Sequence, residues 1–162
     1  PQVIDAQNAW LMTSMMQDVV SRGTARRARS LGRDDLAGKT GTTNDENDAW
    51  FAGYNGHLVG VAWIGFDQMR PLGRGEAGGR AALPMWIDFM RTALDGVPSS
   101  TLDRPPGLVT VRIDPATGEL ATYGTEDAVF ETFPADLVPK APEHYSDWSR
   151  PKGDSKSVED LF

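Results

Sequence analysis

Two apolar runs around an Asn-Gly pair decide the fold of this chain: Ala49-Trp50-Phe51-Ala52-Gly53-Tyr54, then Asn55-Gly56, then Leu58 to Phe66. Aromatic and β-branched residues favour strands, and Asn-Gly between two such runs is the strongest short signal for a hairpin turn. Upstream, Leu36 to Thr43 is typical of a third short strand, joined to the hairpin by the polar turn Asn44 to Asp48. We therefore predict three consecutive antiparallel strands.

A helix is predicted on the amino-terminal side of these strands. Residues Asn8 to Val20 place Leu11, Met15 and Val19 at intervals of four, so that one face is apolar at helical spacing. The pair Arg22-Gly23 follows as a basic last turn and a residue that tolerates the left-handed cap.

A second helix is predicted after the strands. It follows the Gly-rich loop Gly73 to Gly79, has Pro84 in its first turn and ends at Gly96. Its predicted buried residues are Trp86, Phe89, Met90, Ala93 and Leu94. Helix, antiparallel strands and helix together indicate an α/β fold of the α+β type, with sheet strands flanked by helices.

Composition divides the chain near residue 98. Seven of the eleven prolines lie beyond this point, which is typical of a loosely built extension. We predict a partial domain over residues 1–97, an extension over 98–135 and a polar tail over 136–162. Within the extension, Val109 to Ile113 and Glu119 to Tyr123 are expected to form a β-hairpin around the turn Asp114 to Gly118.

The overall composition excludes several classes of function. The 162 residues carry a net charge of -7, which argues against a general nucleic-acid or anionic-membrane binder. There is no cysteine and there are two histidines, so disulfides and thiolate zinc sites are excluded and no metal site is predicted. The longest apolar run, Leu58 to Phe66, is half the roughly 20 residues needed to cross a bilayer, so no membrane contact is expected from this segment.

One segment has residue types that folding alone does not explain: Lys39-Thr40-Gly41-Thr42-Thr43. An ammonium group supplies positive potential, hydroxyls at alternate strand positions face one side, and glycine lets a ligand approach the backbone. This is the chemistry of anion recognition. If the strand lies at a sheet edge, a peptide substrate can add to it, with the Thr42 N–H directed at a carbonyl oxygen.

The surroundings of this motif resemble a known family. The successions that carry the resemblance are Ala37 to Asp45, Asp48 to Tyr54, Val61 to Asp67, Ala9 to Thr24 and Glu76 to Trp86. Together they closely resemble the C-terminal half of the transpeptidase domain of class A, bifunctional penicillin-binding proteins. The resemblance covers residues 5–97, and more weakly 98–135. It implies a partial β-lactamase/DD-transpeptidase-like fold, with residues 1–97 as the C-terminal portion of the transpeptidase domain.

The resemblance also implies roles for the motif residues. Lys39 is expected to be catalytic by tuning the field of the site, and the Thr42 N–H to be one donor of the oxyanion hole. Thr40, Gly41, Thr42 and Thr43 are expected to bind substrate, with the Thr40 and Thr42 hydroxyls on the terminal carboxylate of a D-Ala-D-Ala peptide or a β-lactam. The implied reaction is serine acyl transfer without a cofactor.

Two further motifs of the family are missing from the chain. The family uses a Ser-x-x-Lys that provides the nucleophile and a Ser-x-Asn. The string Ser149-Arg150-Pro151-Lys152 is rejected as the first motif because proline is unsuited to a helix interior and the string lies downstream of Lys39. We therefore expect the isolated chain to be inactive, and expect the nucleophile in an upstream part of the same protein.

The family context implies the biology of the complete protein. Its partners are expected to be peptidoglycan stem peptides, β-lactams and the N-terminal part of the same protein. The activities implied are D-Ala-D-Ala transpeptidase or carboxypeptidase, together with an upstream glycosyltransferase. The location implied is the periplasmic face of the bacterial inner membrane, with an anchor upstream of this chain.

Other interpretations remain open from the residues. A monofunctional transpeptidase, a β-lactamase-like hydrolase or a non-catalytic peptide-binding fragment would each retain Lys39 to Thr42. The basic run Arg26 to Arg33 is interpreted as a solvated loop paired with Asp34 and Asp35 rather than a binding patch. Large aromatics are assigned mainly to the core, although Trp50 or Phe51 could border the substrate cleft.

Overall fold

The computed structural model describes residues 3–142 of the chain. By internal packing the chain divides into two compact units, Pro1–Pro106 and Gly107–Phe162. The boundary predicted from composition was at residue 98, and the assignment of roles to residues 1–97, 98–135 and 136–162 stays a prediction.

The main elements are α1 (Ala6–Ser21), β1 (Ala37–Thr42), β2 (Ala49–Tyr54), β3 (Val59–Ile64), α2 (Ala82–Ala93), β4 (Leu108–Ile113) and β5 (Val129–Pro134). Short 3-10 turns cover Arg26–Leu31, Asn44–Glu46 and Ala135–Leu137.

The first unit contains a three-stranded antiparallel sheet in the order β1-β2-β3. The predicted strands and the α+β fold class are therefore confirmed. The turn between β2 and β3 forms because the Asn55 side-chain oxygen accepts from the backbone N–H of His57 at 3.1 Å and of Leu58 at 3.0 Å. This closes the hairpin and sets its register, in which Trp50 lies opposite Trp63.

The core of this unit lies between the sheet and α2. Trp86 is 1% exposed and its ring meets Phe51 edge-on, with 4.9 Å between centroids. Its indole N–H donates to the Gly60 carbonyl at 3.1 Å. Gly53 makes this approach possible, because a Cβ there would lie 2.7 Å from the Trp86 ring. The glycines of β2 and β3 are thus part of the seat for one large aromatic side chain.

Helix α1 begins two residues earlier than predicted because Asp5 caps it. The Asp5 carboxylate accepts from the backbone N–H groups of Gln7 and Asn8. The helix is tied to the sheet by a hydrogen bond between the Thr13 and Tyr54 hydroxyls at 3.0 Å. It therefore lies beside the end of the sheet where β2 meets the hairpin turn.

The prediction that α2 buries both Phe89 and Ala93 is wrong. The buried residues of α2 are Ala82, Leu83, Trp86, Ile87 and Met90. Phe89 is 52% exposed because it lies at the margin of this stripe, next to β3, which is the last strand of the described sheet on that side, and Ala93 is exposed as well. Trp50 and Trp63 are 42% and 44% exposed, so the assignment of these two aromatics to the core is also wrong.

The second unit, described from Gly107 to Pro142, is built on the antiparallel pair β4-β5. The predicted hairpin of Val109 to Ile113 with Glu119 to Tyr123 forms next to its turn but does not extend: Leu120 bridges Ile113, and the Ala121 N–H donates to the Arg112 carbonyl at 2.9 Å. The chain turns away there, since the Thr122 N–H and the Thr125 hydroxyl form a local hydrogen bond at 3.0 Å. The strand that pairs with β4 is Val129–Pro134.

No helix within residues 3–142 has both the length and the apolar character of a membrane span.

Candidate active-site motif on β1

Strand β1 carries the Lys-Thr-Gly motif at its carboxyl end. Lys39 and Thr42 are exposed, whereas Thr40 and Gly41 are half-buried. The register pairs Lys39 with Ala52 and Gly41 with Trp50, so these residues share one face of the sheet. Thr40 and Thr42 lie on the opposite face, as alternation along a strand requires.

The N–H groups of Thr40 and Thr42 point away from β2. The Thr43 N–H donates to the Asp48 carbonyl at 3.1 Å, and hydrogen-bonded pairs alternate along an antiparallel ladder, so the N–H groups of odd-numbered residues face β2. In the described part of the chain no strand pairs with the other edge of β1, and no backbone carbonyl accepts from the Thr42 N–H. This is the geometry that an oxyanion-hole donor needs; the role itself stays a prediction.

The Thr40 hydroxyl is paired with that of Thr24. Their oxygens lie 2.8 Å apart, although the residues are sixteen positions apart in sequence. Thr24 follows the end of α1, in the loop that leads to the 3-10 turn Arg26–Leu31. One motif hydroxyl is thus held by a residue to which the sequence analysis assigned no role.

The Thr42 hydroxyl is held by the loop before α2. It accepts a hydrogen bond from the Gly78 N–H at 3.0 Å. Gly78 lies directly on the sheet: a Cβ there would clash with the Trp50 carbonyl oxygen and would lie 2.5 Å from that of Gly41. Only glycine fits this close approach, so the Gly-rich loop has a structural reason beside the motif.

Thr43 differs from the other motif residues in its contacts. Its hydroxyl accepts from the Asp48 N–H at 2.8 Å and lies 3.4 Å from the Asp48 carboxylate. The same carboxylate accepts from the Trp63 indole N–H at 2.9 Å. The Thr43 hydroxyl therefore stabilises the turn between β1 and β2, and its predicted contact with substrate stays untested.

Lys39 lies on the open, aromatic face of the sheet. Its ammonium donates to the Thr40 carbonyl at 3.0 Å. On the same face, the Trp50 and Trp63 rings are 5.8 Å apart and tilted by 41°. Trp50 is the cross-strand neighbour of Gly41, and its place at a substrate cleft stays a prediction; Phe51 is fully buried on the other face.

The opposite end of β1 is fixed by a buried charge. Asp35 pairs with Arg33 at 2.7 Å, and its side chain is 1% exposed. It also accepts from the Asn55 amide at 3.1 Å and from the Ser100 N–H at 3.0 Å. Burial raises the pKa of Asp35, but the hydrogen bonds from Arg33, Ser100 and Asn55 outweigh this and lower the pKa from 3.8 to about 2. The Arg33–Asp35 pair confirms one predicted pairing of the basic run, but the pair is buried and not solvated as predicted.

The rejected Ser149 string and the two histidines, to which no catalytic role was assigned, do not add to the site. Ser149 to Lys152 and His144 lie outside the described residues. His57 follows the hairpin turn, where its backbone N–H bonds to Asn55. In residues 3–142 no group of three or more His, Cys, Asp or Glu is arranged to hold a metal ion. The contacts of Thr24 and Gly78 were missed because single residues far from the motif in sequence give no local signal.

Comparison with known proteins identifies the family. Residues 1–63 match the family model described as penicillin binding protein transpeptidase domain. Penicillin-binding protein 1A of Pseudomonas aeruginosa is 55% identical over 138 residues, which are 85% of this chain and 17% of that protein. Penicillin-binding protein 1A of Neisseria lactamica is 53% identical over 109 residues, 67% of this chain and 14% of that protein.

The fold is similar to that of a solved relative. The crystal structure of penicillin-binding protein 1A from Haemophilus influenzae is similar to this chain with a TM-score of 0.77 and 39% sequence identity. The match covers 86% of this chain and 22% of that one, so the chain spans about a fifth or less of the relatives it matches. These similarities in sequence and fold show that the chain belongs to the class A, penicillin-binding protein 1A-like proteins and corresponds to a part of one.

Proposed function

We propose that this chain forms the substrate-carboxylate edge of a serine D-Ala-D-Ala transpeptidase that cross-links peptidoglycan. The observation that carries the proposal is the open edge of β1, where the Thr42 N–H points outward beside two positioned hydroxyls. An extended stem peptide can add along this edge as a further strand. The Thr40 and Thr42 hydroxyls then bind its terminal carboxylate, and the Lys39 ammonium supplies positive potential.

The proposed reaction is acyl transfer in two steps. A serine outside this chain forms a bond from its Oγ to the penultimate D-Ala carbonyl carbon. The C–N bond to the terminal D-Ala breaks, and the serine proton passes to the leaving amine. The amine of a neighbouring stem peptide then forms a bond to the acyl carbon, the ester bond to the serine Oγ breaks, and a proton of the amine returns to that oxygen. The Thr42 N–H stabilises the oxyanion together with the N–H of that serine, and no cofactor takes part.

The first partner in this proposal is the N-terminal part of the same protein. The sheet face that carries Lys39 also exposes Trp50, Val61 and Trp63. Exposed apolar groups in one patch indicate a surface that another part of the protein covers. We assign that cover to the region with the nucleophile, because it must approach the same face to meet Lys39.

The wider setting belongs to the same proposal. The complete protein would stand at the periplasmic face of the inner membrane, anchored by a helix upstream of this chain, and would carry a peptidoglycan glycosyltransferase. It would bind β-lactams as analogues of D-Ala-D-Ala. Relatives that are 51–55% identical bear the name penicillin-binding protein 1A, which supports the class A interpretation over a β-lactamase-like or monofunctional enzyme.

Acylation by a fluorescent penicillin tests the proposal. In the full-length protein that carries this segment, Lys39→Ala should lower the second-order acylation rate about 10- to 100-fold, the effect of losing a charge-assisted contact of about 1.5–3 kcal/mol. Lys140→Ala is the matched control, since it removes the same charge from the second unit. Equal rates for both variants would reject the catalytic role of Lys39 and favour a non-catalytic binding segment.

A further inference from the structure

The loop after α1 places Thr24 in a fixed position beside the motif. The Ala25 N–H bonds back to the Val19 carbonyl at 2.9 Å, and Ala25 is fully buried. On its other side, the Thr24 carbonyl lies against Gly79, where a Cβ would come within 2.9 Å of it. Thr24 is exposed, but its backbone lies between the end of α1 and the loop before α2.

The hydroxyls of Thr24, Thr40 and Thr42 together have two protons left to donate to a ligand. Two hydroxyls in one hydrogen bond use one of their two protons, so the Thr24–Thr40 pair at 2.8 Å keeps one proton to donate. The Thr42 oxygen accepts from Gly78 and keeps its own proton as well. Among the described residues neither remaining proton has a protein acceptor. The site therefore holds two hydroxyl protons, which is enough to donate one hydrogen bond to each oxygen of a carboxylate.

We propose that Thr24 is a positioning residue for carboxylate recognition: its hydroxyl fixes the orientation of the Thr40 hydroxyl so that this pair directs one proton to the substrate carboxylate. The inference rests on the proposed function of the Lys39-to-Thr42 edge and extends it to a residue outside the motif. Thr24 itself need not touch substrate. Without it, the Thr40 hydroxyl rotates freely and must be ordered again each time a ligand binds.

The test is Thr24→Val in the full-length protein, since valine keeps the shape and loses the hydroxyl. Acylation is measured with a penicillin and with the same penicillin as its carboxyl methyl ester. We expect the second-order rate for the free carboxylate to fall about 3- to 10-fold, mainly through weaker initial binding, with less than about a twofold change for the ester. Thr24→Ser should restore the rate, because it returns the hydroxyl.

A matched control comes from the second unit. Thr110 and Thr132 form a hydroxyl contact at 3.0 Å on β4 and β5, so Thr132→Val makes the same chemical change outside the motif. It should leave both rates unchanged. Thermal unfolding of all variants shows whether any loss of acylation comes from lost stability.

Several results would overturn the inference, and they are distinguishable from failure of the proposed function. Equal losses for the carboxylate and the ester would show that Thr24 is merely structural. An unchanged rate in Thr24→Val, alongside a large loss in Lys39→Ala, would reject the positioning role and leave the proposed function intact. Unchanged rates in both variants would reject both.

Discussion

Removing the buried charge of Asp35 should loosen the start of β1. The Asp35 carboxylate accepts from Arg33, Asn55 and Ser100, and so joins the segment before β1 to the hairpin turn and to the segment after α2. Asp35→Asn keeps the size of the side chain but leaves Arg33, a half-buried cation, without its carboxylate partner. Because β1 begins two residues later, local opening there would disturb the strand that carries the motif.

The size of the effect follows from the pKa of Asp35. A pKa lowered from 3.8 to about 2 corresponds to about 2.5 kcal/mol in favour of the closed state at neutral pH. The folded pKa lies below the unfolded value, so this contribution is complete above about pH 5 and is lost as the pH falls towards 2. At about pH 2.5, about 0.8 kcal/mol remains by the same relation.

Hydrogen exchange of the β1 amides in the full-length protein measures this opening. Relative to wild type, Asp35→Asn should raise the opening equilibrium about 60-fold at pH 7 and about fourfold at pH 2.5, after correction for intrinsic exchange rates. Asp88→Asn removes an exposed partner of Arg91 and should have little effect at either pH. A ratio that is the same at both pH values would refute the reasoning, because the stabilisation would then not depend on the charge of Asp35.

Two further substitutions test the packing around the motif. Gly78→Ala places a Cβ 2.5 Å from the Gly41 carbonyl oxygen, so the loop must shift and penicillin acylation should fall at least about tenfold. Gly124→Ala is the control and should leave acylation unchanged, because no atom lies within 4 Å of a Cβ there. Equal acylation of the two variants would contradict the close approach of Gly78 to the sheet. Trp86→Ala removes the centre of the core and should cost about 3–5 kcal/mol in urea unfolding, whereas Tyr123→Ala, at a fully exposed side chain, should cost less than about 0.5 kcal/mol. A Trp86→Ala loss as small as that of Tyr123→Ala would place the core elsewhere.

The sheet of the first unit could be predicted because its signals are local. The Asn55-Gly56 pair lies between two apolar runs, and a short turn fixes both the strand pairing and the register. The motif strand followed from its own residue types. Local signals also predict both helices, with an error of two residues at the start of α1, which Asp5 caps.

Contacts between distant segments could not be predicted in this way. The hydroxyl pair of Thr24 and Thr40 and the bond from Gly78 to Thr42 depend on how loops pack against β1, which no sequence period reports. Phe89 was expected in the core because helical spacing shows which apolar residues share a face. It does not show which of them another element covers. In the second unit, Glu119 to Tyr123 is the first suitable run after β4 and was therefore the expected partner. The strand that pairs with the whole length of β4 is Val129–Pro134, which follows a longer connection.

The position of the penicillin adduct tests the central claim most directly. In the proposed mechanism, this chain supplies the carboxylate and oxyanion edge of the site, and the nucleophile lies outside it. Peptide mapping of the labelled full-length protein should therefore find the adduct on a serine outside these 162 residues, and the chain alone should take up no label. An adduct on Ser149, or on any other residue of this chain, would contradict the account.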